Sequence, residues 1–476
     1  MVVRGVPARL AKDAWWMTDD KGPVTGRWVI GPLLLLAVLL ADQFVWIPSA
    51  GLGLVIWVVV VAGVVHAAMW KDVDRRRAFY AWGILIVSLI PAIDLVQALS
   101  ILFLALGLLA FCVIMTLGRQ TPSIMIRAML RLPGISVVQN MIDIKGMRVA
   151  APSVTAIKRG LRDWVMPLGI GAVFIVLMAL ANPLVDRWLV ELVLWEPGLS
   201  LSLDRILFWG VSAVAVWPLL RLTKMADRLR RPATDITWTL RSGLINERSV
   251  MRALVIFNLI FAMQTLLDLG YLWGGVALPE GMTYADYAHR GAYPLLATAL
   301  LAGLFALLSQ PFLGQGSILR MMLYIWIAQT VVLVVSSILR LDLYVDAYGL
   351  TRLRFAAFVW MVVVALGLLL IIMQMMGRKT TGWFLMRATG LGLMALYGSA
   401  LVNIDGLIAR TNLARFEPDQ AYICNLSEGV VVAVHEAGAC RRTPLYLSNP
   451  ADWREWGYRN ARLRNSLSVM KAEVLK

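Results

Sequence analysis

Eleven apolar runs, each long enough to cross a bilayer, alternate with short polar connections, and this alternation limits the chain to a helical membrane bundle. A span needs roughly 17–25 apolar residues to cross about 30 Å of hydrocarbon. Inside lipid every backbone N–H and C=O must be satisfied within the segment, which favours helices. The runs are 29–47, 51–70, 79–96, 98–117, 164–184, 206–220, 252–272, 292–312, 321–339, 355–376 and 383–403. The sixth is short, and extending it back to Leu199 would bring in Asp204 and Arg205. A 476-residue chain that is 60% hydrophobic and 16% charged, with mean hydropathy +0.74, lies outside the soluble range.

The charge distribution orients the bundle. Of 45 Lys and Arg, 29 fall in 1–27, 71–78, 118–163, 221–252, 313–320 and 377–387, against 10 acids there, a net of +19. Basic loops stay cytoplasmic on insertion. The N-terminus is therefore expected inside, and an odd number of spans places the tail beyond residue 403 on the periplasmic face. The overall charge of +16 is read as a topology signal and a contact with anionic lipid heads, with no nucleic-acid partner. The first run is read as an uncleaved helix. The expected organisation is a cytoplasmic N-terminal arm over 1–27, which carries Trp15 and Trp16, and four spans over 28–117. A basic amphipathic cytoplasmic loop follows over 118–163, then spans five to eleven over 164–403, then an external segment over 404–476.

Within the basic loop, SIMIRAMLRLPGISVVQNMIDIKGMRV suits a helix lying along the membrane surface, and RLTKMADRLRRP reads as a basic helix stopped by Pro232. Both fit inner-leaflet anchoring or docking of a cytoplasmic protein. The tail reads as a small α/β unit: GVVVAVHEAG as a strand with a turn after it, and 451–474 as an amphipathic helix. At about 70 residues such a unit is marginal alone, so a disulfide or docking onto the membrane part is expected. Cys424 and Cys440 would bridge in an oxidising compartment; two lone thiols are the alternative, and Cys112 is a core residue of the fourth span.

No P-loop, GxGxxG, CxxC or HExxH occurs, and His66, His289 and His435 are too few for a multi-histidine metal site. No metal and no cofactor are expected, and the chain names no reaction. Its polar residues gather instead in connections assigned to the periplasmic side. After Asp268, the stretch LPEGMTYADYAHRGAYPL carries Glu280, Tyr284, Asp286, Tyr287, His289, Arg290 and Tyr293. An acid, an imidazole and an Arg together can bind a phosphate or carboxylate and move a proton. The same residues also suit an interfacial aromatic belt with a local Asp286–Arg290 pair.

A second connection, RLDLYVDAYGLTRLR, offers Arg340, Asp342, Tyr344, Asp346, Tyr348, Arg352 and Arg354; its alternation fits a short strand, and its i,i+4 pairs fit a helix. Gly349 and Thr351 read as a helix stop and the N-cap of the next span. The third piece is NIDGLIARTNLAR, with Asn403, Asp405, Arg410 and Asn412. Asp42 and Asp94 lie toward the same side. Ionisable groups beside spans are costly and usually partnered. Either Asp268, Asp286, His289, Arg290, Arg340, Asp342 and Asp405 converge on one site, or each anchors its own helix end. Gln264, Gln310, Gln329 and Gln374 suit interhelical hydrogen bonds.

Taken in order, Asp268, LPEGMTYADYAHRGAYPL, RLDLYVDAYGLTRLR and IARTNLAR resemble a bacterial membrane-protein family catalogued as domain of unknown function 4173. The resemblance covers roughly 250–425, including DQAYICNL, and leaves the end of the tail as a variable extension. It implies a multi-pass protein of the bacterial inner membrane and assigns no activity. The leading expectation is a periplasm-facing polar site that binds an anionic lipid, envelope precursor or solute for transport or group transfer. Arg290 and Arg340 would hold the anion, Asp286 and His289 would handle protons, and Asp268 and Asp405 would orient the site. The alternative is a non-enzymatic regulator or assembly scaffold that partners a membrane or cytoplasmic protein.

Overall fold

The computed structural model describes residues 27–46, 51–149, 202–230, 247–274, 297–307, 309, 317–415, 419–440, 447 and 449–474. The arm 1–27 up to its last residue, the run 164–184 and the stretch 278–295 lie outside these residues.

Seven described helices are long and apolar enough to cross a membrane, and three shorter apolar helices accompany them. In chain order the helices are α1 (Arg27–Val45), α2 (Leu52–Ala68), α3 (Arg75–Asp94), α4 (Ala98–Leu117), α5 (Pro122–Val149), α6 (Leu203–Val216) and α7 (Ala226–Arg230). Then come α8 (Glu247–Leu267), α9 (Ala297–Leu307), α10 (Ser317–Tyr348), α11 (Arg352–Met376) and α12 (Thr381–Leu401). The carboxyl-terminal part holds α13 (Ile404–Arg415), α14 (Gln420–Cys424), α15 (Val431–Glu436) and α16 (Tyr458–Val474).

Two apolar cores organise the bundle. The first joins α1–α7 around Val65, Leu85, Phe111, Met115, Leu132, Leu222 and Met225. The second joins α8–α12 around Leu254, Leu319, Leu323, Trp326 and Met361. α12 ties the two halves: Tyr397 donates to the Val87 carbonyl at 2.7 Å and packs edge-on against Phe103, and Gln97 donates to the Ala400 carbonyl at 2.9 Å. Large apolar side chains such as Phe79, Ile86, Leu207, Leu259, Leu301 and Leu353 point outward, as expected where the solvent is lipid rather than water.

The helix ends follow from local chemistry. Ser202, Thr351, Thr380 and Asp419 each accept from a backbone N–H in the following turn. α10 stops at Gly349, whose φ of +77° favours a residue without Cβ. α10 runs unbroken to Tyr348, so 340–348 is helical and its two-residue alternation does not form a strand. The sixth span differs from expectation as well. It starts at Leu203, passes through Trp217 and Pro218 into a 3-10 turn (Leu219–Met225) that is kinked at Arg221, and continues into α7. RLTKMADRLR is thus an extension of the span, with Leu222, Met225 and Leu229 buried in the first core. Pro218 has no backbone N–H to donate, and the α-helical ladder gives way to the 3-10 turn directly after it.

The segment after residue 403 is corrected too. Among the described residues it has no strand: GVVVAVHEAG forms a 3-10 turn (Glu428–Val430) and α15. A run of valines reads as strand from propensity alone. Here Ser427 caps the turn, and Val430, Ala433 and Val434 bury against Ile408, Ala409 and Ile423 in a third small core. Cys424 and Cys440 are joined as a disulfide with Cα atoms 5.8 Å apart. The segment also docks on the first helices. Leu52 N–H donates to the Trp456 carbonyl at 3.0 Å, Arg454 reaches the Gln43 carbonyl, Trp453 packs on Phe44, and Arg459 meets Asp94.

Candidate functional site

At the end of the bundle where α1, α3, α8, α10 and α12 finish, aspartates and arginines from distant parts of the chain pair one to one. Arg205, in the first turn of α6, holds Asp42 of α1 through Nε (2.6 Å) and Nη2 (2.5 Å), and the Trp209 indole donates to the same carboxylate at 2.8 Å. Arg459 of α16 donates to Asp94 at 2.9 and 2.5 Å and to the Ala400 carbonyl at 2.9 Å. Arg340 of α10 pairs with Asp268, which follows directly on α8. Arg352, the first residue of α11, grips Asp405 of α13 at 2.7 and 2.5 Å.

Asp405 is the best-defined of these carboxylates. Besides Arg352 it accepts from the Ser427 amide at 3.1 Å and from the Ser427 hydroxyl. Burial pushes its acidity down, but the bonds from Arg352 and Ser427 outweigh burial and hold the carboxyl below the usual aspartate range. Asn403 donates to the Gly429 carbonyl at 2.8 Å and caps Gly406 N–H at 3.1 Å. Asn412 brackets the turn before α11, accepting from Leu350 N–H at 2.7 Å and donating to the Leu350 carbonyl at 3.0 Å. Arg354 donates to the Tyr348 carbonyl at 2.8 Å and lies 4.3 Å from the Tyr344 ring centre.

Of the residues singled out from sequence, Asp268 and Arg340 are therefore in contact, and Asp405 is engaged by Arg352 instead. Asp342 and Asp346 are exposed on α10. Glu280, Tyr284, Asp286, His289 and Arg290 lie outside the described residues. Ser427 and Arg459 were not singled out. No local signal marks them, because their partners are 22 and 365 positions away.

The Asp268–Arg340 pair sits at the top of a polar seam between α8 and α10. Asp268 and Arg340 are 1% and 4% exposed, and Gln264 donates to Asp268 at 2.9 Å. Lower down, Asn258 donates to the Met322 carbonyl at 3.2 Å, across 64 positions. Thr265 Oγ1, Gln329 Oε1 and the Trp326 indole N–H are buried without a protein partner. In a bundle interior such atoms are expensive unless something polar visits them.

A second buried network lies at the opposite end: Arg221 pairs with Asp143 at 2.7 Å, with Gln139 and Trp217 donating to the same carboxylate at 3.0 and 2.9 Å. It locks α5 to the bent sixth span. Beside it, an apolar groove of about 580 Å³ runs between Pro133 and Val137 of α5 and Ile206, Val211 and Val214 of α6. Among the described residues, no cluster of His, Cys, Asp or Glu could hold a metal ion.

A family model described as Domain of unknown function (DUF4153) matches residues 81–437. The chain belongs to this family. The assignment to domain of unknown function 4173 is thereby corrected. The DUF4153 match begins within α3, far upstream of residue 250, and so takes in most of both apolar cores as well as the polar connections that had suggested the other family. It ends between Cys424 and Cys440. Neither a curated protein nor a solved structure matches the chain. The DUF4153 assignment makes this a multi-pass membrane protein with a domain of unknown function and carries no activity with it.

Proposed function

We propose that the protein binds an anionic solute or envelope component at the Asp268–Arg340 pair and passes it along the α8–α10 seam. One observation carries this reading: an arginine 4% exposed, inside an apolar bundle, held by an aspartate 1% exposed. Hydrophobic residues of similar volume would pack such a position at least as stably, so a buried ion pair is better explained by use than by stability. An incoming carboxylate or phosphate can compete with Asp268 for the Arg340 fork, since guanidinium binds either in the same bidentate manner. Thr265, Trp326 and Gln329, on the same two helices, also carry buried polar atoms without a protein partner. Asp286, His289 and Arg290 follow Asp268 in sequence and are assigned to ligand contact and proton handling. The excess of basic residues in the opposite connections supports an outward, periplasmic orientation for this end, in a bacterial inner membrane.

The test is native mass spectrometry of gently solubilised protein. Wild type is expected to retain an anionic component that Arg340→Gln loses. If Asp268→Asn/Arg340→Gln, which removes both charges, keeps the component and supports growth normally, the reading fails.

A scaffold role is the second reading, favoured by the rigid attachment of the disulfide-bridged segment to α1–α3. Deleting 416–476 would not separate the two readings, because it also removes Arg459 from Asp94 and Ser427 from Asp405. Replacing exposed Tyr458 and Val469 by Ser leaves those contacts in place. Lost function with an intact fold would favour the scaffold.

A further inference from the structure

Arginines at the end of the bundle that carries the aspartates are almost all engaged. Arg205, Arg340, Arg352, Arg454 and Arg459 each hold an aspartate, and Arg354 holds two backbone carbonyls. Arg410 of α13 and Arg462 of α16 depart from this pattern: among the described residues, neither guanidinium makes an ion pair or hydrogen bond. Both line the same cavity of about 240 Å³, enclosed by α13, α15 and α16.

The sequence explains how the cavity forms. Asn403, Gly406, Leu407 and Arg410 recur at the spacing of one helical face and supply one wall. Val432 and Ala433 of α15 supply the floor, and Leu463 flanks Arg462 on α16. Gly406 and Gly429 pack closely on the Asn403 side chain, where a Cβ at either would collide. Val402, where α12 leaves the bundle, also lines the cavity, which puts it at head-group level if α12 spans the bilayer. Both arginines are exposed, and each guanidinium can offer a phosphate two parallel N–H donors.

We propose that this cavity is an anion site that takes a phosphate group between Arg410 and Arg462. It is separate from the Asp268–Arg340 pair, so either assignment can fail without the other. Phosphate chemistry is shared by an anionic lipid headgroup and a soluble phosphorylated solute, and the experiment separates them.

Wild type and Arg410→Gln/Arg462→Gln are purified in a neutral detergent. Each is titrated with inorganic phosphate while thermal unfolding is followed, and each is scored for retained phosphatidylglycerol over phosphatidylcholine by native mass spectrometry. Because neither side chain makes an ion pair or hydrogen bond with a described residue, both proteins are expected to melt together without ligand. Wild type should bind at least one phosphate species about tenfold or more tightly than the variant, the loss expected for charge-assisted contacts. A difference confined to phosphatidylglycerol supports the site with a lipid occupant. One confined to inorganic phosphate supports it with a soluble occupant. Equal phosphate response and equal lipid retention in both proteins would overturn the proposal.

Discussion

Arg459→Ala tests how the carboxyl-terminal segment is fastened to the membrane helices. Arg459 is 6% exposed, and it donates to Asp94 at 2.9 and 2.5 Å and to the Ala400 carbonyl at 2.9 Å. Removing one partner of a buried ion pair costs about 3–5 kcal/mol, mainly because the other charge stays behind. Asp94 keeps 17% of its side chain exposed at the end of α3, so the lower end of that range, about 3 kcal/mol, applies. The lost Ala400 bond adds about 1 kcal/mol, giving about 4 kcal/mol in all. Asp94→Asn removes the stranded charge. The double variant should therefore recover about 2 kcal/mol relative to additivity. Unfolding in mild detergent measures the free energies, and protease cleavage between 440 and 458 reports release of the segment. The reasoning is refuted if Arg459→Ala lies within about 0.5 kcal/mol of wild type, or if the two substitutions simply add.

Three further outcomes are expected. Reducing the Cys424–Cys440 bond, which closes a separation of 16 residues, should destabilise the α14–α15 unit by about 3 kcal/mol, read as faster proteolysis within 425–439. Because Asp405 ionises below the usual aspartate range when folded, its contribution is complete at neutral pH. That contribution is lost as the pH falls from about 4 through the lower folded value, so acid unfolding should begin at higher pH in Ser427→Ala. Asn412→Ala strips both backbone bonds from Leu350 and should cost about 1–3 kcal/mol, measured by thermal unfolding, whereas an effect below about 0.5 kcal/mol would show that water replaces them.

What could be read from the sequence were the features that depend on neighbours. The apolar runs at α1–α4 and α10–α12, the stop at Gly349 and the cap at Thr351 follow from spacing and local chemistry. The aspartates at helix ends were visible as costly residues that require partners, but the partners were not. Asp42 meets Arg205 across 163 positions, Asp268 meets Arg340 across 72, and Asp405 meets Arg352 across 53. Nothing in the sequence specifies which arginine each aspartate takes. The valine run after residue 429 failed for the opposite reason. Its local preference is real, but packing of Val430 and Val434 with Ile408 and Ile423, within a segment tied by Cys424 and Cys440, overrides it. The polar seam between α8 and α10 was equally hidden, since Asn258 meets the Met322 carbonyl only across 64 positions.

The docking of residues 452–459 on α1–α3 has a consequence for biogenesis. The Gln43 carbonyl and the Asp94 carboxylate wait for partners 411 and 365 residues downstream. At 5–20 residues per second the ribosome needs roughly 20–80 s to supply them. Throughout that interval the earliest helices reside in the bilayer with their outermost contacts unmade, open to quality-control proteases. A nonsense mutation downstream of α12 would leave all the membrane segments translated and still produce a protein whose opening hairpins are unbraced.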